Sequence, residues 1–365
     1  LDAEDGSELW TVTIGDATYG LTVVDGETIY VSGSDENVYA LNTEDGSEQW
    51  SFEAGEDVRP SPIVADGIVY VGNDDGTVYA LDAEDGSELW SLETANPVLS
   101  PVAVENDIVY ITNGSDRVFA LDAADGSPVW FYRADGTVEL SPVVVDDSVF
   151  VADYERLHAL GATDRAEQWS VEIDGEIRSL AALADGIVYV LGHEGTVTAF
   201  DALDGTEQFQ IAPETGASIS SSPTVVDGVV YSGSDDGTVY ALDARDGTEE
   251  WSAETGGSIR SSPTAASNTI YVWNDDDEVH ALNADTGAER WVAEKSGLVH
   301  SSPVVVENRL YIASQGTVYA LDTSDGTEQW QFQGTERDRV QPGTWMESPA
   351  VGDDTVFVGR WDGTV

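Results

Sequence analysis

Three of the thirteen arginines in this chain and one of its four histidines fall at a single recurring position. Counting eleven residues back from each member of the series Tyr30, Tyr70, Tyr110, Phe150, Tyr189, Tyr231, Tyr271, Tyr311 and Phe357 gives Tyr19, Arg59, Leu99, Glu139, Arg178, Ser220, Arg260, His300 and Met346. Arg59, Arg178, Arg260 and His300 would form a cationic rosette in an acidic protein. Guanidinium forks grip carboxylate and phosphate through paired N–H donors, so the chemistry this spacing offers is capture of an anionic group. The alternative is that these cations pair with neighbouring Asp and Glu and relieve a crowd of carboxylates. The stretch QFQGTERDRVQPGTWMESP, 331–349, is the longest departure from the spacing and adds Arg337, Arg339, Trp345 and Met346 as candidate ligand contacts.

Other chemistries find little support. With no Cys there is no disulfide, thiolate nucleophile or Cys-ligated zinc. The acidic turns at 73–76, 234–237 and 274–277 attract cations, but they lack the twelve-residue loop and closing Glu of an EF-hand and read as hydrated hairpin turns. His158 and His280 replace the Tyr of a recurring VYALD and are expected to pack there, and His193 lies at a turn. No catalytic residue and no metal ligand set is assigned.

The elements that must carry these positions repeat. GTVYALDAEDGSELW (76–90), GTVYALDARDGTEEW (237–251) and GTVYALDTSDGTEQW (316–330) are three copies of one unit. Its closing aromatics are Trp10, Trp50, Trp90, Trp130, Trp169, Phe209, Trp251, Trp291 and Trp330, 39 to 42 residues apart. A repeat of this length decides the architecture before any residue is given a role. From Ser222, the alternating runs SPTVV, VVYSG, TVYALD and TEEW are separated by Asp-Gly turns and predict four short antiparallel strands. No window has a helical period. The fold class is therefore all-β: a β-propeller of four-stranded antiparallel blades, nine by count, with eight as the alternative. Residues 1–365 form one domain. Its last blade is shared between 1–13 and 346–365, so that the N-terminal strand closes the ring. Two blocks have drifted: LHALGATDRAEQW (157–169) lacks the Asp and the turn Gly, and RSLAALADGIVYV (178–190) lacks the Ser-Pro opening.

The pattern A-x-[DN]-x-x-[DT]-G-x-x-x-W fits six blocks, from Ala40–Trp50 to Ala320–Trp330. It resembles the tryptophan-docking repeat of the PQQ-like, quinoprotein-type β-propeller family over essentially the whole chain. The resemblance implies a structural role for the nine aromatics, packed between blades. It also implies two possible activities. Quinoprotein dehydrogenases of this family hold pyrroloquinoline quinone (PQQ) and Ca²⁺ and oxidise alcohols or sugars, whereas other members are non-enzymatic scaffolds that bind proteins. The dehydrogenases are longer, carry insertions between blades, and in the alcohol oxidisers have a vicinal Cys pair that is missing here.

Composition narrows the setting. Seventy acidic residues against fourteen basic ones, of which Lys295 is the one lysine, give a net charge of −56. Such a coat repels itself in dilute buffer, but at 1 M salt the Debye length is ~3 Å and the repulsion is screened. The chain reads as halophilic and archaeal. A polyanion is a poor partner for that surface, so nucleic acid is excluded. No apolar run is long enough for a signal peptide or membrane span. The expectation is a monomeric, non-enzymatic binding scaffold, extracellular or at the cell surface, without a cofactor. It would present its mouth and loops to a protein or glycan partner or an anionic ligand. The alternative is a PQQ- and Ca²⁺-dependent dehydrogenase.

Overall fold

Strands of three to eight residues form wherever apolar and polar side chains alternate between Gly- and Asp-rich turns. In the computed structural model the run IVA-DG-IVYVG folds as Ile63–Ala65 and Ile68–Gly72, and it is followed by Thr77–Asp82 and Glu88–Glu93. The turn residues Asp66 and Gly67 take φ of 50° and 76°, the two positive angles that match a tight turn to the twist of the strands it joins. The structure describes residues 1–15, 18–25, 27–145, 147–173, 176–192, 196–211, 218–219, 221–295, 301–314, 316–334, 348–352, 354–360 and 363–365, with the backbone alone at 19–25, 178 and 180–182.

Among the described residues there is no helix. Eight four-stranded sheets, each an antiparallel run of consecutive strands A to D, occupy 18–53, 63–93, 103–133, 143–172, 177–211, 224–254, 264–294 and 304–333; a two-stranded pair follows at 350–357. They are called sheets 1 to 9 below. Two compact units hold them. Residue 1, 8–174 and 359–365 contain sheets 1 to 4, and 2–7 with 175–358 contain sheets 5 to 9.

Strand A differs from its expected extent for a chemical reason. In sheet 6 it is Thr224–Val226 rather than the whole of SPTVV, because Pro223 has no N–H for the ladder. In sheets 1 and 5, which lack the Ser-Pro opening, it lengthens to eight residues, Thr18–Asp25 and Ile177–Ala184, with irregular register. The chain ends also pair. Ala3 N donates to Asp354 O at 2.8 Å in one unit; in the other, Val12 and Val365 exchange backbone bonds of 3.1 and 2.9 Å.

Within each compact unit, neighbouring sheets meet through one recurring contact. The Trp50 indole N–H donates to Ala83 O of sheet 2 at 3.0 Å, and Tyr30 Oη of the same sheet donates to that carbonyl at 3.3 Å. Trp90 with Tyr70 on Ala123 O, Trp130 with Tyr110 on Ala162 O, Trp251 with Tyr231 on Ala284 O, Trp291 with Tyr271 on Thr323 O and Trp330 with Tyr311 on Ala3 O repeat the arrangement. Trp10 reaches Thr43 O at 3.0 Å, and Trp169 is buried beside Phe150. Phe209 has no N–H to give, and there Tyr189 Oη alone approaches Ala244 O, at 2.8 Å. The rings of Trp10, Trp50, Trp90, Phe209, Trp251, Trp291 and Trp330 lie on the next turn glycine: a Cβ on Gly86 would stand 2.6 Å from Trp50 Cδ2. Burying ~200 Å² of indole stabilises such a junction by up to about 5 kcal/mol.

The drifted fourth sheet keeps the turn without the glycine. Arg165 adopts φ 60° in its place, donates to Phe131 O at 3.0 Å and lays its guanidinium 5.9 Å from the Phe131 ring centroid.

Candidate ligand-binding site

An antiparallel run of four strands puts its B–C turn and the loop entering strand A at the same end. The recurring position of Arg59 is on that loop, so its natural neighbours are the turn residues of its own sheet. Backbone and amide bonds lock the two together: Asp74 N donates to Asp57 O at 3.0 Å and Asn73 Nδ2 to Ala54 O at 2.9 Å.

The side chains then pair at a fixed separation of fifteen residues. Arg59 Nη2 meets Asp74 Oδ2 at 2.8 Å, with the arginine half exposed. Leu99 stands opposite Gly114, where a Cβ would touch Leu99 Cδ1 at 3.9 Å. Glu139 accepts a bond of 3.3 Å from Tyr154 Oη. Arg260 Nη1 lies 3.4 Å from Asp275 Oδ2, and its Nε lies 3.7 Å from Asp235 Oδ1 on the preceding sheet's turn. Both described arginines of the expected rosette are thus engaged by carboxylates. At this exposure each pair adds roughly 0–1 kcal/mol to stability. The pairs act mainly on local charge, leaving neither guanidinium as an unbalanced positive centre.

Arg59 is in one compact unit and Arg260 in the other. The side chain of Arg178 and all of His300, Arg337, Arg339, Trp345 and Met346 lie outside the described residues. His158 and His280 are buried as expected. His158 is held by Asp153 at 3.3 Å and Tyr132 at 3.2 Å, and His280 by Glu278 and Glu289, each at 3.3 Å. Sequence reasoning missed the partners Asp74, Asp275 and Tyr154. The signal that would have found them is the constant offset of fifteen between loop and turn, visible only once both are put at one end of the sheet.

Where the pair is Leu99 and Gly114, the glycine brings no side chain to the position, and a recess of about 460 Å³ is bounded by Ala95, Asn96, Gly114, Asp116, Asp135 and Gly136 among others. The Arg133 guanidinium bonded to Asp116 holds that carboxyl below the usual range. Among the described residues no group of three or more His, Asp or Glu is arranged to hold a metal ion.

A family model described as outer membrane protein assembly factor BamB matches residues 1–101, 75–176, 154–266 and 235–365, which together span the chain. The chain belongs to this family. No curated protein matches it. Among solved structures, BamB from Moraxella catarrhalis is 18% identical over 97% of this chain and 94% of its own, with a TM-score of 0.63. The computationally designed Ika8 protein is 18% identical over 87% of this chain and 100% of its own, with a TM-score of 0.69. The quinohemoprotein alcohol dehydrogenase ADHIIG from Pseudomonas putida HK5 is 16% identical over 86% of this chain and 71% of its own, with a TM-score of 0.61. At such identities the likeness is one of fold. It agrees with the sheets described above: this BamB-family member is an all-β, propeller-type protein. The same fold is thus shared by an outer membrane protein assembly factor and by a quinohemoprotein alcohol dehydrogenase.

Proposed function

We propose that this chain is a non-enzymatic binding scaffold of a halophile, secreted or at the cell surface, whose loop-and-turn end holds a protein or glycan partner. On this reading residues 1–365 form one propeller domain, closed where the terminal segments pair, with sheet 9 completed by the N-terminal residues. The observation that carries it is the pairing of Arg59 with Asp74 and of Arg260 with Asp235 and Asp275. PQQ is a tricarboxylate and calls for guanidinium or amide donors free to grip it. In each compact unit the described arginine of this series is already paired with carboxylate, which counts against its holding the quinone. A rigid frame presenting many loop tips suits partner binding at little ordering cost. The proposed contact surface includes Arg178, His300 and the 331–349 loop with Arg337, Arg339, Trp345 and Met346. The name of the matching family supports a protein as partner, and the acidic surface disfavours nucleic acid.

The test is a titration of the purified chain with PQQ in molar KCl and Ca²⁺, followed by Trp fluorescence and calorimetry. No saturable heat or quenching is expected. One-to-one binding accompanied by dye-linked alcohol oxidation would replace the scaffold with the dehydrogenase.

A further inference from the structure

Because the sheets are copies of one another, each serves as a control for the rest. At the second residue of the short strand A the sequence has Val64, Val104, Val144, Val225, Val305 and Val351, but Ala265 in sheet 7. In sheets 2, 3, 4, 6 and 8 that valine packs into the apolar cluster shared with the preceding sheet. Ala265 is two methyl groups short. At the residue before the closing aromatic the series is Gln49, Leu89, Val129, Gln168, Gln208, Arg290 and Gln329, but Glu250 in sheet 6. These two departures from the repeat meet at one place. Sheets 6 and 7 are separated there by a cleft of about 260 Å³.

Its lining mixes apolar side chains, Val226, Tyr231, Ala265 and Ala266 among them, with the carboxylates of Asp227, Glu250 and Asp285. Val226 is 37% exposed, while Tyr231 is buried to 4% with its hydroxyl given to Ala284 O. Asn268 Nδ2 donates to Asp285 Oδ2 at 2.8 Å and fixes that carboxylate in place. Arg290, which reaches the same turn, gives its Nη2 to the Asn268 carbonyl at 2.9 Å. Burial pushes the Tyr231 phenol up to about 12, and Glu250, Asp285 and Asp227 all act on it in the same direction.

We propose that this cleft binds a small alkylammonium, its aliphatic chain on Ala265, Ala266 and Val226 and its cationic head among Asp227, Glu250 and Asp285. An anion is repelled there. A bare metal ion gains nothing from the apolar side chains, and a neutral aliphatic forgoes the three carboxylates. The site is independent of the partner surface proposed above, because no residue is shared.

Saturation-transfer NMR with n-pentylammonium, and with n-pentanol as the uncharged analogue, tests the assignment at one fixed KCl concentration. Saturable binding of the ammonium is expected, with the alcohol weaker by roughly tenfold or more. Ala265→Val, which restores the residue of the other sheets, should abolish the signal. Glu250→Gln, an exposed change that leaves the apolar side chains intact, should weaken the ammonium roughly three- to fivefold and leave the alcohol unchanged. Equal binding of alcohol and ammonium to the wild type, or full binding by Ala265→Val with an unaltered near-UV spectrum, would overturn the proposal. If Ala265→Val fails to fold, Glu250→Gln decides alone: undiminished preference for the ammonium then counts against it.

Discussion

Ser232 sits in strand B where its counterparts are Val31, Val71, Ile111, Val151, Val190, Val272 and Ile312. It is fully buried, and its hydroxyl has no hydrogen-bond partner among the described residues. A buried hydroxyl without a partner loses its hydration and gains nothing in return. Ser232→Val is therefore expected to stabilise the protein by about 1–2 kcal/mol, read from denaturant unfolding at fixed salt. An unchanged or lowered midpoint would mean that the site cannot take the extra methyl. The same scale explains the arginines. Arg59 and Arg260 were visible in the sequence as cations at a repeating place, and either anion capture or internal pairing was consistent with that. The carboxylates at 2.8 Å from Arg59 and at 3.4 and 3.7 Å from Arg260 put those two in internal pairs.

The junction between sheets is the element on which most of the order rests. Gly86 has φ 71°, a region that L side chains enter at a cost, and the face of Trp50 leaves no room for a Cβ. Gly86→Ala should cost about 2–4 kcal/mol, with loss of the near-UV signal of packed indole before loss of the strand signal. A cost below that range would show that Trp50 can shift freely. These junctions also mark what could be read in advance. Strands B, C and D were legible because alternation and Asp-Gly turns are local properties. The length of strand A was not, since it depends on which ladder bonds Pro223 and its counterparts remove. The spacing of the Trp series was legible, but not the shared carbonyl, because Tyr30 and Ala83 are 53 residues apart. The cleft at Ala265 was illegible for a related reason: a missing pair of methyls matters only once the strand is known to face Glu250 on the neighbouring sheet.

At the scale of the whole chain, charge dominates. A net charge of −56 on 365 residues repels itself, and counter-ions at the surface screen that repulsion. The melting temperature should fall by more than about 10 °C between 3 M and 0.2 M KCl, since the screening length grows from under 3 Å to about 7 Å. Melting that is indifferent to salt would remove the halophilic reading and leave the binding proposals to be tested in ordinary buffer. The double acceptance at Ala83, Ala123, Ala162, Ala284 and Thr323, which Arg309 makes a triple one at Ala3, has a further, spectroscopic consequence. A carbonyl that takes two hydrogen bonds has a weakened C=O bond and vibrates at lower frequency than its singly bonded neighbours. Carbon-13 placed at those alanine carbonyls would set a reporter at the seams between sheets, and its infrared band would register the sheets parting while each strand ladder was still whole.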